Sequence, residues 1–169
     1  MSRKKQIVAM LLIVLGALVV FAIWYQYTFS MDQADAFQVN SKHYNQKLLI
    51  ATQGSEFKDS VTKHVVEHFE NDSIFINVVD VSALETIDSE LYNAVLLVHT
   101  WENWKPPIEV KTFIEKNKSD IDNMVVITTS GEGTYKMDEI DAITGESKPE
   151  NVSLMATKAI NKLEILLKK

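Results

Sequence analysis

Two histidines stand one helical turn apart in His64-Val65-Val66-Glu67-His68. That spacing lets two imidazoles bind zinc while the glutamate activates a water. The pattern falls on an amphipathic segment whose apolar positions are Val61, Val65, Val66 and Phe69, so His64, Glu67 and His68 face solvent. No third ligand follows at a persuasive distance, and the motif reads as a solvated helix face. His99 ends an apolar run and could carry a proton, but a single histidine there reads as a hydrogen-bonded strand end. Trp101 and Trp104 could stack on a flat ligand. Their plainer role is to cover the end of a sheet. Cysteine is absent, which removes thiolate chemistry and a disulfide framework. No G-x-S-x-G elbow, Walker loop or G-x-G-x-x-G run occurs, so serine hydrolase, P-loop and standard dinucleotide readings have no support.

Four apolar, β-branched runs must position any such site: Lys47–Thr52, Ile74–Val81, Ala94–Thr100 and Met124–Thr129. Each is too short for an isolated helix and is bounded by polar turns, which predicts strands buried on both faces of a parallel sheet. Helical patterns alternate with them. Asp59 is placed to cap the first, Pro106-Pro107 opens one carrying Ile108, Val110, Phe113 and Ile114, and Ser147 with Glu150 has capping-box spacing before the last. That last helix carries Val152, Met155, Ala156, Ala159, Ile160, Leu163 and Leu167 as its apolar face, and Met137–Thr144 is expected as a polar edge strand. The class is α/β with right-handed crossovers.

No charged residue occurs from Gln6 to Tyr27, and Ile7–Ile23 is almost wholly apolar. A bilayer core takes roughly 20 such residues as a helix, longer than a signal-peptide core, so a retained single-pass anchor is expected. Trp24, Tyr25 and Tyr27 are placed for the interface. Arg3, Lys4 and Lys5 precede the span while Asp32 and Asp35 follow it, which predicts a cell-membrane protein with its carboxy-terminal domain outside the cytoplasm. The organisation is a basic tail over 1–5, an anchor over 6–27, a polar tether over 28–45 and a domain over 46–169. The three basic residues contribute to a formal net charge of −6, so the rest of the chain stands at −9 and nucleic acid is not an expected partner.

From Lys47 to Leu167 the order of elements resembles flavodoxin-like proteins. The likeness is carried by Tyr92–Val98 with the tryptophan-bearing loop and Pro107–Ile114 after it, by Thr128-Thr129-Ser130-Gly131-Glu132-Gly133, and by Asp141–Ser147. It implies a three-layer sandwich with strand order 2-1-3-4-5 and any ligand at the carboxyl ends of strands one and three. It also implies FMN as the cofactor to consider, lined by Thr52, Ser55, Lys58, Thr100, Trp101, Trp104, Thr129, Ser130 and Gly131. The loop after strand one departs from the family pattern. Flavodoxins hold phosphate there on small polar residues and backbone N–H groups, whereas Glu56 and Asp59 bring carboxylates and Phe57 replaces a small residue. Asp141–Ser147 also resembles a motif for covalent FMN attachment, but Glu146 and Ser147 stand where alanine and threonine are required. The expectation is a membrane-anchored binding or interaction module for an unidentified protein partner rather than a turnover enzyme. An FMN-dependent electron carrier is the alternative.

Overall fold

A computed structural model describes residues 2–29, 31–138 and 140–168, without the side chains of 26–29. The interfacial role expected of the Tyr27 ring therefore lies outside the described residues. The chain forms two units, 1–31 and 32–169. The first is helix α1 (Arg3–Phe29), in which the stretch Arg3–Tyr25 is long and apolar enough to cross a membrane.

The second unit is a flavodoxin-like α/β sandwich. Its strands are β1 (Asp32–Gln33), β2 (Phe37–Val39), β3 (Gln46–Gly54), β4 (Ile74–Asp80), β5 (Ala94–Thr100), β6 (Met124–Thr129) and β7 (Ala142–Gly145). Its helices are α2 (Glu56–Phe69), α3 (Ile108–Lys116) and α4 (Val152–Leu167). The parallel strands lie in the order β4-β3-β5-β6-β7, which is 2-1-3-4-5 when counted from β3. Alternation along each strand divides the core between two faces. Leu48, Ile50, Ile76, Leu96 and Ile127 pack under α2 and α4. Leu49, Ala51, Val95, Leu97 and Val126 pack under α3 and a 3-10 turn over Val81–Thr86.

Several local expectations are corrected. The stretch 28–45 is not a structureless tether: β1 pairs antiparallel with the last two residues of β3, and β2 pairs antiparallel with β4 at the sheet edge. Asp59 does not cap α2. The helix starts a turn earlier, and the Ser55 side chain accepts from the Lys58 N–H at 3.3 Å. The Ser147–Glu150 capping box does not form, because Pro149–Asn151 makes a tight 3-10 turn and α4 begins at Val152. The last strand begins at Ala142 rather than Met137.

Candidate functional site

The order of the parallel strands reverses between β3 and β5, and the chain leaves their carboxyl ends in opposite directions. The crevice expected there begins with Gly54, which precedes α2. A side-chain carbon built on Gly54 would lie 2.6 Å from the Gln33 carbonyl oxygen and 2.8 Å from that of Asp32. Only a residue without Cβ allows so close a backbone approach. The β1 backbone thus covers the end of β3, and Ala34 N–H donates to Asp80 Oδ2 at 2.8 Å to hold its exit.

Immediately after Gly54, Phe57 turns into the core and is 7% exposed among Val61, Leu48 and their neighbours. One helical residue later, Lys58 is fully buried, with its Nζ 3.3 Å from Ser55 Oγ. Burial lowers the Lys58 ammonium to about 8, against the opposing pull of Glu102 and Asp59. His99 on β5 is likewise fully buried, its Nε2 3.1 Å from Thr128 Oγ1. Burial, with a smaller push from the Lys58 charge, lowers the imidazole to about 4, so it is neutral at pH 7.

Gln53 joins these parts. Its Oε1 accepts from Thr100 N–H at 2.7 Å and its Nε2 lies 3.4 Å from Glu102 Oε1. Thr52 is buried and donates to the Gln53 carbonyl, while Thr100 and Thr129 share a hydroxyl hydrogen bond of 2.7 Å. Ser130 is buried, its N–H donating to Gly145 and its Oγ accepting from Tyr135 N–H. The sheet therefore brings Thr52, Ser55, Lys58, Thr100, Thr129 and Ser130 to one end. Gly131 stands exposed in the following turn.

The two tryptophans part company. Trp101 is half-buried and stacks on Tyr135, ring centroids 5.4 Å apart at 26°. A cleft of 610 Å³ runs beside it between α3 and residues 136–138 and 140, taking in Lys111, Glu115, Lys136 and Met137 but none of Thr52, Ser55 or Lys58. Trp104 is 76% exposed, at the tip of a two-residue turn closed by hydrogen bonds between the Glu102 and Lys105 backbones. Gln53, Glu102 and Tyr135 were not among the expected site residues. Gln53 could have been suspected from its place at the strand-loop junction; no sequence signal pairs Tyr135 with Trp101.

Away from this end, His64 Nδ1 meets the Ser60 carbonyl and His68 Nε2 meets Glu164 Oε1 at 2.9 Å, linking α2 to α4. Among the described residues no group of three His, Asp or Glu side chains is arranged to hold a metal ion.

No protein-family model and no curated protein matches the chain. Solved structures do. A flavodiiron core from Synechocystis superposes with a TM-score of 0.54 at 11% identity, over 75% of this chain and 37% of that one. A flavodoxin from the domain Archaea (TM-score 0.48, 9% identity) covers 72% of this chain and 99% of its own. Oxidised Flavodoxin 2 from Bacillus cereus (0.44, 17%) covers 70% and 99%. At such identities the similarity is one of fold.

Proposed function

We propose that the chain is a membrane-anchored flavodoxin-like binding module whose carboxy-terminal domain works through protein contacts rather than through a bound flavin. The observation that carries this reading is the seating of β1 on Gly54. An FMN phosphate would need the backbone N–H groups after β3 to face open space. Here the carbonyl oxygens of Asp32 and Gln33 lie against Gly54, the last residue of β3, from which that loop departs. Other features point the same way. Ser55 Oγ is engaged by Lys58, Phe57 is in the core, and Glu56 and Asp59 leave carboxylates exposed in the first turn of α2. The Trp101 ring already has a stacking partner in Tyr135. The residues present do not fit the phosphate of FMN held in the ordinary way, since the buried Lys58 charge is already drawn on by Glu102 and Asp59 and the exposed Glu56 adds a like charge that opposes a dianion.

The anchor is α1, and Arg3, Lys4 and Lys5 before it favour an amino terminus kept in the cytoplasm. On this reading the domain meets a protein partner outside the cytoplasm.

Titration of the full chain in detergent micelles with FMN, followed by quenching of flavin fluorescence, tests the proposal. The expected outcome is a colourless preparation and no saturable quenching. Stoichiometric, tight binding would overturn it in favour of an FMN-dependent electron carrier lined by Thr100, Trp101, Thr129 and Ser130. Sidedness is read separately. Protease added to intact spheroplasts is expected to remove the domain and leave a small membrane-bound fragment; protection until lysis would reverse the orientation.

A further inference from the structure

A groove of 540 Å³ lies between α2 and the segment 33–37 at the β2 edge of the sheet, and it shares no residue with the Trp101 cleft. One wall is a single stripe of α2. Asp59, Thr62, Lys63, Val66, Glu67 and the C-cap Glu70 recur at i, i+3, i+4, i+7, i+8 and i+11, the spacing that puts helical side chains on one face. The floor is apolar: Val78 is buried, and Phe37, opposite it in the register of β2 with β4, leaves 44% of its surface open. Asp35 stands on the other wall.

Two independent observations mark this groove. The first is charge, since among the described residues its lining sets four carboxylates, those of Asp35, Asp59, Glu67 and Glu70, against the one ammonium of Lys63. Lys63 lies 3.7 Å from Glu67 in an exposed pair, while Asp35 and Glu70 are in no salt bridge among the described residues. The second is Thr62, which is only 4% exposed and whose Oγ1 has no hydrogen-bond partner. A helical threonine can give its hydroxyl to the carbonyl one turn back. Here it does not, and a buried hydroxyl left unmatched carries a cost that an occupant with a donor would remove.

We infer that the groove binds a linear aliphatic polyamine, a methylene chain carrying several ammonium groups. From Asp59 to Glu70 the helix advances about 16 Å, and among the described residues no three acidic or histidine side chains converge as a metal ion requires. Carboxylates spread along a groove match charges spread along a chain. The methylenes between those charges lie on Phe37, Val66 and Val78, and one N–H donates to Thr62 Oγ1. The volume falls within the roughly 300–1,000 Å³ of small-molecule sites, whereas a protein partner would cover about 800 Å² on each side. The inference needs neither the anchor nor its orientation.

Spermidine titrated into the full chain in an uncharged maltoside detergent, followed by isothermal calorimetry at low ionic strength, tests it. One saturable site is expected, weakened by added salt. Glu70→Gln and Thr62→Val, each close to the parent in shape, are expected to weaken binding about tenfold. Lys63→Gln removes the competing cation and is expected to tighten binding, a gain that misfolding cannot produce. Glu90→Gln makes the same charge change as Glu70→Gln in an exposed turn before β5 and is expected to leave the affinity unchanged. No binding by the parent would overturn the site, and so would an affinity unmoved by Thr62→Val or by Lys63→Gln. Many weak sites, with Glu90→Gln as harmful as Glu70→Gln, would overturn it and assign the binding to the overall negative charge of the chain. Tighter binding of an acetylated trilysine amide, equal to spermidine in charge, would overturn the free polyamine in favour of a basic protein segment.

Discussion

The carbonyl oxygen of Gln33 lies 2.6 Å from where a side-chain carbon on Gly54 would stand, so the seating of β1 depends on Gly54 having none. Gly54→Ala should displace β1. A destabilisation of roughly 1–3 kcal/mol is expected, as for other overpacked sites. Amide exchange in residues 32–34 should accelerate, read by mass spectrometry of peptides. Unchanged protection there would mean that β1 does not need this approach.

The buried Lys58 predicts an alkaline signature. Its ammonium is lowered to about 8 from 10.5, so the unfolded chain binds the extra proton between those values. Stability should therefore rise with pH across that window, by an amount on the order of 3 kcal/mol. Lys58→Met should abolish the rise, leaving the variant no less stable than the parent at pH 8. Urea unfolding of both proteins at the two ends of the window checks this.

His99 predicts the acid counterpart. Its imidazole is lowered to about 4 from 6.5, so protonation favours the unfolded chain below pH 6.5. Stability is fully present above that pH and is lost as it falls toward 4, again by about 3 kcal/mol. His99→Gln should flatten this part of the profile whatever its effect on absolute stability. A variant that keeps the same slope between pH 6.5 and 4 would assign it to other groups.

The pair His68–Glu164 is partly exposed on both sides, and such pairs contribute about 0–1 kcal/mol. His68→Ala should cost no more than that. Zinc at modest excess should not raise the melting temperature of the parent, since His64 and His68 are each engaged elsewhere and, among the described residues, converge on no third ligand. A zinc-dependent rise that disappears in His64→Ala would restore the metal reading.

The strands whose burial on both faces shows as unbroken apolar runs were legible: Ala94–Thr100 and Met124–Thr129 are found at those bounds. The α2 stripe of Val61, Val65, Val66 and Phe69 was legible for the same reason. Asp32–Gln33 and Phe37–Val39 were not, because two or three residues have no period and are held by partners 20 or more positions along the chain. The site was half legible. Thr52, Ser55, Lys58, Thr100 and Thr129 gather because strand ends fix their places, but the direction of each side chain depends on packing. Lys58 goes inward beside Phe57, and Trp104 outward on a turn whose sign of φ no residue type announced.

The antiparallel course of β1 and β2 gives the domain a mechanical character. Both strands run from the carboxyl end of the sheet toward its amino end, β1 along β3 and β2 along β4. Tension applied at Asp32 and directed outward along the strand axis would load their rungs together in shear rather than peel them one at a time. Force transmitted along the chain into Asp32 would thus meet the shared resistance of both short ladders and of the Ala34–Asp80 hydrogen bond before it reached the parallel sheet.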